Sequence, residues 1–413
     1  MDALLFRHDV ARYLLSRAVY RAAPSAWTPA LAPLDRVRLP RPRTAAAGWA
    51  VVRVRLAGIC GTDTSLLTGS DSLYLEPEAT YPFVPGHEIV GEIAEPPLGG
   101  GDDARLAPGT RVAVWAVLGC AARGMDPPCP RCAEGWDGLC ERREEGWPGR
   151  ALGIGFSRET GGGWSEEFLA HASQLRPLPD SVRDDDAVLL DPAATALAAI
   201  LRTQESAPRR TLVIGGGTIG LLCVHLARAL ELPGEWTLVA RHDYQRSWAE
   251  RHGHRAVRLR GDGEFHDWLA SQGAASIRVS GYGRVVRGVF DRVIDAAGSS
   301  QAFRWSLDAT APRGLLALVS APASIASFDP TPLWYREMTL RGIYDYGPVP
   351  WRGESRHPYD VLLPLLGEGA LSMRDAVTHV FPLGAARDAL AAAVHRERSS
   401  AIKVVLRPGA TSS

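Results

Sequence analysis

The rhythm of hydrophobic and polar positions changes near Asp184. Before it, the alternation in Trp49–Leu56 (WAVVRVRL) predicts a strand, and the glycine-containing, β-branched run Val84–Ile93 predicts another. Two loops interrupt this region, Ser70–Pro82 and a Pro/Gly/Cys-rich excursion from Gly119 to Gly149. From Asp184 to Arg202 an Ala/Leu-rich pattern with acidic residues in its first turn predicts a helix. Short apolar runs at Arg210–Ile214, Trp236–Ala240, Arg292–Ala296 and Leu315–Val319 then read as buried strands. Helical segments, among them Ile219–Leu230 and Gln245–His252, fall between them. Strands alternating with helices imply a parallel sheet wound in right-handed βαβ units. After Arg341 short strands return, with one helix at Leu383–His395 and a last strand at Ala401–Leu406. The expected layout is α/β in two parts: a β-rich domain, 1–188, completed by 342–413, around a doubly wound parallel-sheet domain, 189–341. No internal repeat or low-complexity tract is visible.

At 413 residues the chain exceeds what one core usually serves, in agreement with two domains. A 46% hydrophobic and 22% charged composition is ordinary for a soluble globular enzyme and excludes disordered, collagen-like and disulfide-rich classes. The 46 basic and 46 acidic residues cancel, so no surplus exists to neutralise a phosphate backbone, and nucleic acid is not an expected partner. Arg7, His8, Asp9, Arg12 and Arg17 break any signal-peptide core in Met1–Tyr20, and no apolar window reaches the ~20 residues of a membrane span. The expectation is a cytoplasmic protein with no membrane partner. Lys403 is the sole lysine, which leaves Schiff-base chemistry almost without a nucleophile. Four of the 6 cysteines crowd into Cys120–Cys140, a pattern that favours metal over cystine.

Gly215-Gly216-Gly217-Thr218-Ile219-Gly220 is a G-x-G-x-x-G run. It follows the predicted strand ending at Ile214 and opens a predicted helix, the context in which such a run binds a dinucleotide. Gly215 permits the tight turn, Gly217 lets amides approach a pyrophosphate, and Gly220 allows close helix–strand packing. The helix N-terminus, with Thr218 and Ile219 in its first turn, faces the diphosphate with partial positive charge. An NAD site places a carboxylate at the end of the next strand, about 20 residues on. This chain has Arg241 and His242 there, with Arg246 a turn later. A guanidinium fork matches a ribose 2′-phosphate, so NADP is expected over NAD.

Cys60-Gly61-Thr62-Asp63 and Gly86-His87-Glu88 form a second constellation, with Asp191 a further candidate. Thiolate, imidazole and carboxylate are the ligand types zinc accepts, and a catalytic zinc keeps one position open. With these motifs the chain resembles the zinc-containing medium-chain dehydrogenase/reductase family from Trp49 to Pro408. Gly58-Ile59-Cys60-Gly61-Thr62-Asp63 and Pro85-Gly86-His87-Glu88 are similar to the branch of polyol, threonine, glucose and secondary-alcohol dehydrogenases. The resemblance implies a GroES-like catalytic domain carrying zinc and a Rossmann domain carrying NAD(P), with a small alcohol or ketone between them. Cys60, His87 and either Asp191 or Glu88 would ligate the catalytic zinc, Thr62 would hand on the alcohol proton, and Thr195 would press against the nicotinamide. A homo-oligomer, dimer or tetramer, is the accompanying expectation.

The chain also departs from that pattern. Ser65 stands where the branch often has the histidine that ends its proton relay. Asp191 and Ala198 stand where polyol and threonine enzymes usually have Glu and often His. Secondary-alcohol enzymes do use Asp, so zinc binding survives while polyol specificity does not follow. Cys129, Cys132 and Cys140 match the last three ligands of the family's structural zinc lobe; the first is Cys120, with Asp126 the alternative. The leading reading is an NADP-dependent zinc oxidoreductase acting on a secondary alcohol: a polyol, a sugar-like compound or a hydroxylated ring. Alternatives are reduction of an activated C=N or C=C bond on the same scaffold, or a binding protein that kept the fold and lost the chemistry.

Overall fold

The computed structural model describes residues 1–44, 46–99, 104–204, 208–281, 283–344 and 347–409. Two compact units emerge, one of Met1–Asp191, Tyr346–Pro348 and Tyr359–Ser413, the other of Pro192–Asp345 and Val349–Pro358.

The first unit begins with β1 (Asp2–Phe6), α1 (Val10–Ala22) and β2 (Leu34–Arg38), the strands pairing antiparallel. Asp9 caps α1 by accepting from the Arg12 amide at 3.0 Å. This opening was missed in the sequence, where it was read only for targeting. β3 (Trp49–Gly58), α2 (Gly61–Thr68), β4 (Ile89–Glu95), β5 (Arg111–Val114), the short α3 (Pro130–Ala133), β6 (Glu167–His171) and β7 (Leu175–Pro177) follow. β3 exposes only Arg53 and Arg55, the polar positions of the predicted alternation. The run Val84–Ile93 becomes strand only from Ile89. Gly86 takes φ +95, and Pro85 and Gly86 are pinned instead to Trp164 and Gly163 through carbonyl contacts of 2.9 and 2.8 Å. The predicted loop Ser70–Pro82 contains one 3₁₀ segment, Leu73–Glu78.

The helix expected over Asp184–Arg202 is two, α4 (Asp184–Ala187) and α5 (Leu190–Leu201). Pro192 lacks an N–H and suits the first turn of a new helix.

The second unit carries β8 (Arg210–Ile214), α6 (Thr218–Ala229), β9 (Glu235–Ala240), α7 (Asp243–Arg251), β10 (Ala256–Arg258) and α8 (Asp262–Ser271). After a two-stranded excursion, β11 (Ala275–Val279) with β12 (Gly283–Arg287), come β13 (Phe290–Asp295), α9 (Ser300–Ala309), β14 (Thr310–Leu318), α10 (Thr331–Tyr335) and β15 (Thr339–Gly342). The main sheet is six-stranded in the order β10-β9-β8-β13-β14-β15, every pairing parallel. The order reverses between β8 and β13, and ligands of such sheets bind outside the carboxyl ends of strands at that point. A hairpin, β16 (Val349–Trp351) with β17 (Glu354–Arg356), closes the unit.

The chain then returns to the first unit through α11 (Pro358–Gly367), a helix where short strands were expected. β18 (Val377–Pro382), α12 (Ala386–Val394), α13 (Arg396–Ser399) and β19 (Lys403–Arg407) complete it. β19 joins β3, giving a seven-stranded sheet β18-β19-β3-β4-β5-β7 with β6 also on β3. Trp27, Trp164, Phe83 and Phe168 lie fully buried in its core.

Candidate functional site

β3 ends at Gly58, and the buried Ile59 delivers Cys60 to the start of α2. The Cys60 amide donates to Asp63 Oδ2 at 2.8 Å, which fixes the turn, and the Thr62 hydroxyl lies 3.8 Å from the Cys60 sulfur. His87 arrives from the other side, behind Gly86. A Cβ at Gly86 would stand 2.4 Å from Trp164 Cδ1, so only glycine brings the chain this close. His87 is buried, with Nδ1 3.7 Å from Asp63 Oδ1; neither atom has a hydrogen bond. Burial alone would depress the imidazolium. The Asp63 carboxylate, the Cys60 sulfur and Asp191 overcome that and raise the His87 pKa well above the ordinary histidine value. Asp191, buried in the first turn of α5, thus acts electrostatically on the same imidazole.

Glu88, the other candidate ligand, is committed elsewhere. Its carboxylate is paired with Lys403 Nζ, both side chains being 2% exposed. Of the two carboxylates left open in the sequence, the geometry therefore favours Asp191. Thiolate, imidazole and aspartate fit zinc, and an anion-rich pocket around a histidine that lacks a hydrogen bond on Nδ1 suits a divalent cation. The donors of Cys60, His87 and Asp191 are spread more widely than those of the cysteine lobe, whose four sulfurs lie within 4.8 Å of one another.

That lobe gathers Cys120, Cys129, Cys132 and Cys140, so the first position goes to Cys120 and not to Asp126. The Cys129 amide points to Cys120 Sγ at 3.3 Å and the Cys120 amide to Cys132 Sγ at 3.4 Å. Burial pushes the Cys140 thiol up to about 11. Burial opposes ionisation of Cys129 as well, but hydrogen bonds from the amides of Cys132 and Glu141 outweigh it and leave that thiol at about 7. Four sulfurs met by backbone amides fit a closed structural zinc site.

In the second unit, Gly215 follows β8 with φ +120, where a Cβ would meet Ala296 C and Ala297 N, both at 2.9 Å. A Cβ on Gly220 would lie 1.8 Å from the Gly215 carbonyl oxygen, so helix and turn need both glycines. Gly217 caps α6 with no side chain, which leaves the first-turn amides around Thr218 and Ile219 for an anion. Asp295 at the end of β13, missed in the sequence, braces the facing turn by accepting from Ala297 and Gly298 at 2.9 and 3.0 Å.

Beyond β9, Arg246 is shared with Glu250 at 3.0 Å and Asp243 at 3.5 Å, and the His242 ring stacks on Tyr244. Arg241 is exposed, and its guanidinium makes no ion pair among the described residues. Of the two arginines, Arg246 is thus ion-paired on its own helix while Arg241 is not, among the described residues. Thr195 lies one turn beyond Asp191 on α5.

Asp63, beside Cys60 and His87, and Lys403, paired with Glu88, were not singled out in the sequence. Asp63 carried one signal, its place three residues after Cys60; Lys403 carried none beyond being the sole lysine. A large cleft lined by Arg53, Arg55, Arg111 and Asp184 contains none of the site residues. Its cations are neutralised locally, Arg55 and Arg111 by Asp184 at 2.6 and 2.9 Å.

Residues 46–180 match the alcohol dehydrogenase GroES-like domain, and residues 218–357 match the zinc-binding dehydrogenase domain. The chain is 27% identical over 334 residues to L-galactonate-5-dehydrogenase of Escherichia coli, covering 81% of this chain and 84% of that protein. It is 24% identical over 342 residues to L-threonine 3-dehydrogenase of Anaeromyxobacter sp., covering 80% and 84%. Among solved structures, 2R,3R-butanediol dehydrogenase from Bacillus subtilis superposes with a TM-score of 0.68 at 23% identity, over 91% of this chain and 96% of that one.

Proposed function

We propose, for a chain that belongs to the zinc-containing medium-chain dehydrogenase/reductase family and is an oxidoreductase acting on CH–OH, that it moves a hydride between NADP(H) and a secondary alcohol or its ketone. The observation that supports this reading is that the Cys60 sulfur and the Asp191 carboxylate both act on the charge of the buried His87 imidazole, with the Thr62 hydroxyl beside that sulfur. In it, those three side chains hold the catalytic zinc. When bound, that ion supplies Lewis acidity toward the substrate oxygen.

The chain's own groups do the rest. Asp63 holds the Cys60 amide and sets its other carboxylate oxygen 3.7 Å from His87 Nδ1, a charge that favours the imidazolium without a hydrogen bond between them. Thr62 takes the hydroxyl proton from the alcohol and passes it outward. Ser65 stands where a histidine relay is common, so the proton leaves by another route. The amides at the start of α6 receive the pyrophosphate, Thr195 presses on the nicotinamide, and Arg241 meets the 2′-phosphate. Cys120, Cys129, Cys132 and Cys140 hold a second, structural zinc. The protein works on a small molecule in the cytoplasm and as a homo-oligomer.

The test joins three measurements: zinc content by elemental analysis, NADPH fluorescence on mixing, and a screen of secondary alcohols and ketones with both cofactors. One or two zinc ions per chain, enhanced NADPH emission and turnover of a secondary alcohol are expected. Zinc-free protein that ignores both cofactors would refute the reading and leave the alternative of a binding protein.

A further inference from the structure

The wall beside His87 is aromatic. The Phe156 ring stacks on the His87 imidazole, centroids 5.4 Å apart and planes 30° from parallel. Behind it stands Phe83 at 5.9 Å, fully buried, then Tyr81 at 5.3 Å from Phe83. Phe156 itself stays partly exposed. A ring that covers one face of a candidate metal ligand and still shows free surface is placed to touch whatever approaches that ligand.

The segment that carries this wall is anchored at both ends of the site. The stretch from Gly69 to Pro85 runs from α2, which holds Thr62, to His87. It is tied to the Phe156 segment by three backbone-mediated contacts: the Thr80 amide to the Phe156 carbonyl at 3.0 Å, the Arg158 amide to Thr80 Oγ1 at 3.0 Å, and the Leu152 amide to the Glu78 carbonyl at 2.7 Å. On it Leu73, Tyr74 and Leu75 are 58%, 88% and 43% exposed, a run of apolar surface.

Charge gives the contrast. A substrate with a carboxylate or a zwitterion needs an uncommitted cation near its carbinol carbon. The arginines of this wall are already spent: Arg143 on Glu78 at 3.1 Å, Arg150 on Glu144 at 3.1 Å, Arg158 on Glu159 at 3.2 Å, and Arg7 on Asp35 at 2.7 Å. Nearest His87 the wall offers aromatic ring, Phe156 backed by Phe83, while its polar groups lie farther out: the Tyr81 hydroxyl, with His8 packed on that ring, and the paired arginines.

Resting on the dehydrogenase reading above, we propose that the substrate is an alcohol whose carbinol carbon bears a flat apolar substituent, an aryl group, and that Phe156 is the residue that selects it. Ring against ring in an offset stack adds to the area buried, so losing Phe156 weakens an aryl alcohol more than a small one.

The experiment measures kcat/KM with NADP⁺ for 1-phenylethanol, 2-propanol, sorbitol, L-threonine and L-galactonate, in wild type, Phe156→Ala and Phe156→Leu. Zinc content is measured for each. Calorimetry of 1-phenylethanol with NADPH-loaded enzyme, a complex that cannot react, reads binding without turnover. Wild type should favour 1-phenylethanol over 2-propanol by about tenfold or more and over the polar substrates by more. Phe156→Ala should cut the aryl-to-propanol ratio by about tenfold, mainly through KM, and weaken binding to the NADPH complex in step. Phe156→Leu should fall between.

Preference of the wild type for sorbitol, threonine or galactonate overturns this proposal and leaves the dehydrogenase reading standing. An unchanged ratio in zinc-replete Phe156→Ala overturns the role of Phe156. Failure of every alcohol with either cofactor overturns the dehydrogenase reading itself, and this proposal with it.

Discussion

Replacing Lys403 by Met should be among the most damaging single changes in the first unit. Lys403 and Glu88 are each 2% exposed and paired, so the substitution strands a carboxylate inside the core. Removing one partner of a buried pair costs about 3–5 kcal/mol, because the remaining charge keeps its desolvation penalty without its counter-ion. At about 2–4 °C per kcal/mol for a unit of this size, the thermal midpoint should fall by about 6–20 °C. Glu88→Gln combined with Lys403→Met removes both charges and should recover most of that loss, since neutral replacements of buried pairs are often tolerated. Gly58→Ala should act through the same pair, because its Cβ would lie 2.0 Å from Glu88 Oε2. The assay is calorimetric melting of the two single variants and the double variant, with zinc measured in each. A Lys403→Met midpoint within about 2 °C of wild type would refute the argument. A double variant no better than the single would do the same.

Cys60→Ser or His87→Ala should lose one equivalent of zinc and nearly all turnover with the fold retained; a Cys60→Ser enzyme of normal activity would sink the catalytic assignment. Asp191→Ala should lose the same zinc while Glu88→Gln keeps it, and the reverse pattern would move the ligand to Glu88. Because the neighbouring acids raise the His87 pKa, a proton competes with metal there, so zinc uptake by stripped protein should release protons and weaken as pH falls; affinity flat with pH would count against this. If the cysteine lobe holds a second ion, chelation should lower thermal stability, whereas four native thiols open to alkylation with one zinc per chain would rule it out. Arg241→Asp should shift the NADP/NAD ratio of kcat/KM toward NAD by about tenfold to a hundredfold, since a hydrogen bond to a charged group contributes about 1.5–3 kcal/mol; an unchanged ratio would make Arg241 a surface residue.

Elements with a local signature were legible in the sequence. RTLVI followed by glycines gave the strand Arg210–Ile214 at its observed bounds, because a buried parallel strand is a continuous apolar run and the turn after it needs glycine. The cysteine lobe was legible as a cluster, with Cys120 preferred to Asp126 from the sequence, and the loop does gather Cys120 with Cys129, Cys132 and Cys140. What was not legible depends on distance along the chain. α1 presents Ser16 inward, its hydroxyl donating to the Leu67 carbonyl at 2.6 Å, and exposes Leu14 and Leu15, so its pattern runs opposite to an ordinary amphipathic helix. Lys403 and Glu88 lie 315 positions apart, and Phe156 meets His87 across two loops tied at Thr80. No periodicity records such meetings.

The three acids near His87 separate into different tasks by surroundings alone. Glu88 is neutralised by Lys403, which the chain supplies once and buries there. Asp63 is held by the Cys60 amide and turned toward His87; burial raises its pKa, against the pull of the imidazole and that amide. Asp191, buried at the head of α5, adds its charge to the same imidazole. Taking the lysine away would leave the buried Glu88 carboxylate, the chain neighbour of His87, without its counter-ion and open to compete for a cation there. The lysine therefore does more than stabilise a strand: under the proposed reading, by occupying Glu88 it keeps that carboxylate out of the zinc's donor set.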